Sequence, residues 1–98
     1  MDKHLIAIST ICTHYEIEFS FIDALHHNGL VQVEKVDQET FLHPDELGDL
    51  EKMIRLHREL NLNIEGIDVV FNLLEKEKAL RQELLLLKNK LKRYEAPE

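Results

Sequence analysis

Hydrophobic residues recur along this chain with helical spacing in several stretches and alternate with polar ones in a single stretch. Segment 9–15 reads as a short helix that Ser9 caps. It is rich in β-branched residues, so tertiary contacts must support it. A turn around Glu16-Ile17-Glu18 leads to a second helix over about 19–27. There Ile22 and Leu25 point inward with Ile17, and Asn28-Gly29 ends the helix. From Leu30 to Val36 the pattern alternates, with Val31, Val33 and Val36 set against Gln32, Glu34 and Lys35. Thr40-Phe41-Leu42 returns antiparallel after the turn Asp37-Gln38-Glu39. Two short strands after two short helices make a wing.

His43-Pro44-Asp45-Glu46 is a helix start. Proline suits the first position and the two acids complement the positive end of the helix dipole. The helix is expected to run to Leu60, with Leu50, Met53, Ile54, His57 and Leu60 on one stripe. Asn61 suits a left-handed cap, and Asn63 an N-cap for a last helix from Ile64 toward Tyr94. Its early face carries Ile67, Val70, Phe71 and Leu74. Further on, Leu80, Leu84, Leu87, Leu91 and Tyr94 step by four and three, a coiled-coil seam of two heptads, widened by Leu85 and Leu86. A core of this size leaves little to cover so many leucines, so pairing with a second chain is the expectation; folding back on the chain itself is the alternative. The organisation expected is mainly α: a winged helix-turn-helix domain over 1–74 and a helical extension over 75–98.

Charge sharpens this picture. Residues 1–50 carry ten acids and two bases, Lys3 and Lys35, whereas residues 51–98 carry nine acids and ten bases. The first half is thus an acidic block. Nucleic-acid affinity depends on lysine and arginine meeting phosphates, so this half suits a basic protein partner better than a duplex. The lone Cys12 cannot form an internal disulfide, the start Met1-Asp2-Lys3-His4 lacks a signal-peptide pattern, and no apolar run spans a bilayer; these fit a cytoplasmic protein.

Candidate chemistry is sparse. Six histidines invite a metal, but His26 and His27 are adjacent and diverge on a helix, and no pair has H-x-x-x-H spacing. His57 is expected to be a partly buried, hydrogen-bonded packing residue, and Cys12 a buried, inert thiol. With no Gly-rich phosphate loop and no nucleophile elbow, neither an enzyme nor a cofactor is expected. Phe19 and Phe21 flank the acidic turn. Phe19 is better placed against Ile17, leaving Phe21 beside Asp23 as an apolar anchor in an acidic rim; both being core is the alternative.

The order helix, turn, helix, wing, helix, helix, long helix resembles the MerR-type winged-helix domain. The matching residues are Ile8-Ser9-Thr10-Ile11-Cys12, Ile17 to Leu30, and His43-Pro44-Asp45-Glu46-Leu47. The run Ile54-Arg55-Leu56-His57-Arg58-Glu59-Leu60-Asn61-Leu62-Asn63-Ile64-Glu65-Gly66-Ile67-Asp68-Val69-Val70 most closely resembles the chaperone modulators of the CbpM type. That resemblance implies a regulator that binds and inhibits the J-domain of a DnaJ-like (CbpA-type) co-chaperone. MerR-type DNA binding is the alternative, and a dimerising adaptor with another partner is a third possibility. Where DNA-binding members place arginine and tyrosine on the second helix, this chain has Ser20, Asp23 and Ala24. Glu16 stands where the superfamily usually has glycine, so the turn must avoid or tolerate a positive φ. The partner site expected on these grounds is Glu16, Glu18, Phe21 and Asp23, with Leu80, Leu84, Leu87 and Leu91 as the dimer seam.

Overall fold

The computed structural model describes residues 4–95. Its elements are β1 (Ile6–Ala7), α1 (Ile8–Tyr15), α2 (Phe19–His27), β2 (Val33–Val36), β3 (Glu39–Leu42), a 3-10 turn (Pro44–Glu46), α3 (Leu47–Glu59) and α4 (Ile64–Glu95). The mainly helical winged helix-turn-helix expected from the pattern is present. Its wing has one strand more than expected. β3 lies in the middle of an antiparallel sheet, with β2 on one side and β1 on the other. A two-residue strand is too short to announce itself by alternation; β1 exists because Ile6 and Ala7 pair with Leu42 and Phe41.

The hairpin turn is tighter than the three residues expected. Val36 pairs with Glu39, leaving Asp37 and Gln38 as a two-residue loop with φ of 52° and 69°. Two successive positive φ values match the right-handed twist of the flanking strands. Val36, expected inside, is exposed. Side chains alternate with a period of two, so a residue three beyond Val33 sits on the other face.

The helix ends follow local chemistry. α1 begins at Ile8, and its N-cap is Ala7 with no side-chain cap; Ser9 lies inside the first turn, where its carbonyl accepts from Thr13 Oγ1 at 3.0 Å. The expected serine cap is displaced by β1, which runs directly into the helix. α2 ends in a Schellman motif: Leu30 N–H donates to Leu25 O, Gly29 N–H donates to His26 O, and Gly29 has φ of 74°. α3 and α4 are separated by Asn61 at φ 57° and by Asn63, whose Oδ1 accepts from Gly66 N–H at 2.8 Å. A Cβ on Gly66 would sit 3.2 Å from that Oδ1, so glycine leaves the cap its room.

The contacts fall into two compact units, one ending at Asp68 and the other beginning at Val69. The core of the first is Ile8, Ile11, Ile22, Leu25, Val31, Leu42, Leu50, Met53, Ile54 and Ile67. α1, α2, α3 and the start of α4 each give at least one of them, with Leu42 from β3 and Val31 from the loop before β2, and full burial of such a side chain contributes about 2 kcal/mol. The stripe expected on α3 stops short: Leu50, Met53 and Ile54 are buried, whereas His57 and Leu60 are exposed where the chain turns toward Asn61. The second unit is the remainder of α4. Leu74, Leu80, Leu84, Leu85, Leu86, Leu87, Leu91 and Tyr94 are all exposed on it.

Candidate functional site: an acidic cleft beside the helix-turn-helix

The turn between α1 and α2 is built on a left-handed glutamate. Glu16 has φ of 57° and ψ of 50°, and the following Ile17 N–H donates to Cys12 O at 3.0 Å, closing the end of α1. Glycine takes this conformation freely, whereas an L side chain carries about 1 kcal/mol or more of strain there. Arg58, on α3, holds the turn from the other side. Its Nη2 donates to Glu16 O at 2.7 Å and also to Tyr15 O. Two carbonyls at the negative end of α1 thereby gain a cationic donor.

Beside this turn lies an open cleft of about 580 Å³. Glu16, Ile17, Glu18, Ser20, Phe21 and Ala24 form one wall, and His57, Arg58, Asn63 and Ile64 form the other. Phe21 and His57 face each other with ring centroids 4.7 Å apart and planes inclined by 32°. His57 is in turn fixed through Nδ1, 2.9 Å from Leu62 O. It therefore packs by hydrogen bonding and ring contact as expected, but from an exposed position. Ser20 Oγ donates to Glu18 Oε1 at 3.3 Å, orienting that carboxylate on the rim.

Three of the four expected partner residues, Glu16, Glu18 and Phe21, line this cleft together; Asp23 does not. It lies further along α2, where its carboxylate is 3.6 Å from His27 Nδ1 and its carbonyl 2.9 Å from the same atom. The exposure of the two phenylalanines is the reverse of that expected, although Phe21 still stands beside the acidic turn. Phe19 is 54% exposed, and Phe21 is half-buried against His57. Phe21 lies four residues before buried Leu25 and so one turn up on the same face, an i, i+4 relation that outweighs proximity to Ile17. Cys12, expected to be buried, is half-buried, and burial pushes its thiol above the ordinary range.

No lysine or arginine occurs between Lys3 and Lys35, so α1, the turn and α2 carry no permanent cation. What the sequence did not disclose is the opposite wall of the cleft. The residues from His57 to Ile64 read as the end of one helix and the start of another, and only the fold sets them against α2.

On α4, the four leucines expected to form a dimer seam, Leu80, Leu84, Leu87 and Leu91, are exposed along one stripe with Tyr94. Leu73, also exposed, lies seven residues before Leu80 and continues that stripe. Between them Glu77 interrupts it, pairing with Arg81 Nε at 3.1 Å.

Residues 6–89 match the family model described as MerR HTH family regulatory protein. The chain is 28% identical over 86 residues to the chaperone modulatory protein CbpM of Pseudomonas entomophila (strain L48), covering 87% of this chain and 85% of that protein. It is 29% identical, with the same coverage, to the chaperone modulatory protein CbpM of Pseudomonas putida (strain W619). No solved structure matches at a significant level. With the winged helix-turn-helix in place and the match spanning most of its length, the chain belongs to the MerR helix-turn-helix regulatory family, on the side of the CbpM-type chaperone modulators.

Proposed function

We propose that this protein is a non-enzymatic co-chaperone modulator that binds the J-domain of a DnaJ-like (CbpA-type) protein and inhibits it. The observation that carries this reading is the helix-turn-helix itself: an element used elsewhere to approach phosphates has no lysine or arginine here and sets Glu16 and Glu18 around a half-buried phenylalanine. Such a surface repels a duplex and attracts a basic helix of the kind J-domains carry. The names of the CbpM relatives point the same way. The working form is a cytoplasmic homodimer, paired through Leu80, Leu84, Leu87 and Leu91; no described helix is long and apolar enough to cross a membrane.

The test is titration of the purified protein with the J-domain of the host's DnaJ-like protein at low and moderate salt, alongside fluorescence anisotropy with duplex DNA. Saturable J-domain binding that weakens with salt, with no sequence-selective duplex binding, supports the reading. Selective, salt-dependent duplex binding without J-domain binding overturns it in favour of a MerR-type transcriptional regulator.

A further inference from the structure

The acidic turn accounts for only one wall of the cleft. The other comes from the corner between α3 and α4, through His57, Asn63 and Ile64. We propose that this corner is half of the partner site, and that the cleft seats one arginine or lysine side chain projecting from a helix of the partner. The proposal rests on the partner-binding reading above and adds residues and a ligand chemistry to it.

The lining matches such a side chain along its length. Ile17, Phe21, Ala24 and Ile64 offer apolar surface to an aliphatic stem, and Glu16 and Glu18 offer carboxylates to its charged head. The one permanent cation in the lining, Arg58, already donates to the carbonyls of Tyr15 and Glu16. Two carboxylates against one engaged guanidinium leave the cleft net negative.

His57 adds a directional group. A carbonyl oxygen can only accept, so the contact with Leu62 O requires the hydrogen on Nδ1. In the neutral ring Nε2 is then an acceptor, suited to an N–H of a partner guanidinium or ammonium. The paired rings of Phe21 and His57 also supply an aromatic surface on which a guanidinium stacks.

The experiment measures J-domain affinity for the full chain, for Glu18→Lys as the reference on the acidic turn, and for three further variants, each first confirmed folded by circular dichroism and thermal melting. His57→Ala, at an exposed position, removes the stacked ring and the acceptor and is expected to weaken binding about fivefold to tenfold. Ser20→Arg, also exposed, places a cation inside the cleft and is expected to weaken binding more than about tenfold. Thr10→Arg adds the same charge on exposed α1 surface outside the cleft and is expected to stay within about twofold. On the partner, replacing the J-domain's arginines and lysines singly by methionine should reveal one dominant loss.

If the unmodified chain binds no J-domain, this inference falls with the reading beneath it. If it binds, Glu18→Lys weakens binding, and His57→Ala and Ser20→Arg do not, the corner is no part of the site. Equal losses for Thr10→Arg and Ser20→Arg would reduce the effect to net charge and overturn the proposal. A loss spread evenly over every J-domain cation would overturn the single-residue seat. Should His57→Ala fail to fold, the paired arginine variants decide alone.

Discussion

Arg58 reaches from α3 to the carbonyl of Glu16, 42 residues earlier in the chain and 2.7 Å from its Nη2, and so ties the third helix to the turn of the helix-turn-helix. The same guanidinium holds Tyr15 O. Replacing Arg58 with Ala should therefore destabilise the fold, although the side chain is exposed. Hydrogen bonds to a charged group are worth about 1.5–3 kcal/mol, and exposure favours the lower end. Chemical denaturation should show that loss. Arg58→Lys should recover only part of it, because a point charge cannot hold two carbonyls in a fixed fork.

Glu16 itself occupies a left-handed position with φ of 57°. Glu16→Gly relieves about 1 kcal/mol of strain and returns about half of that as extra freedom in the unfolded chain. The variant should be as stable as the parent or slightly more so in a thermal melt. It should nevertheless associate with the J-domain more slowly, since one carboxylate of the rim is gone. A glutamate kept for the fold would give the opposite pair of results.

Much of the fold is legible in the sequence because it is written in local chemistry. Asn61 and Asn63 foretell the break between α3 and α4, and Asn28-Gly29 the end of α2, since left-handed backbone and cap geometry select few residue types. β1 is not legible, because two residues carry no period and the strand depends on a partner far along the chain. The site divides in the same way. Glu16 and Glu18 stand out by charge, whereas the pairing of Phe21 with His57 is a tertiary contact between α2 and α3. The greater burial of Phe21 over Phe19 is legible from its i, i+4 spacing to Leu25, but its partner His57 is not.

The leucine stripe on α4 carries the proposed dimer. Substituting Leu84 and Leu87 by polar residues should convert a dimer to a monomer in sedimentation equilibrium while the circular dichroism of the first unit persists. Exposed leucines this numerous seldom stay in water, and interfaces of standard size hold at tens of micromolar. A parent protein that sediments as a monomer in that range would rule out the seam.

Two groups contribute stability that is lost at alkaline pH. Burial raises the Cys12 thiol above its ordinary range. The hydrogen bond from Tyr15 to Glu51, with burial and the glutamate's charge adding to it, raises the phenol. In both cases the folded chain favours the protonated, neutral form. The stability they contribute is complete below the unfolded values and is lost as pH rises through the folded ones. Urea midpoints should fall on the alkaline side, and less so in a Tyr15→Phe, Cys12→Ala double variant compared with its own value at neutral pH. Cys12 should also alkylate more slowly in the folded chain than in denaturant at pH 8.

The acidic helix-turn-helix as a protein-binding face is the central claim, and surface plasmon resonance with an immobilised J-domain tests it most directly. Charge reversal at Glu18 and Asp23 to Lys should mainly slow association and flatten its salt dependence, because rim charges steer encounter. Phe21→Ala should instead speed dissociation, by about 2 kcal/mol if it anchors the complex, in protein shown by circular dichroism to be folded. Unaltered association and dissociation rates in both folded variants would contradict the claim and move the docking surface away from this face.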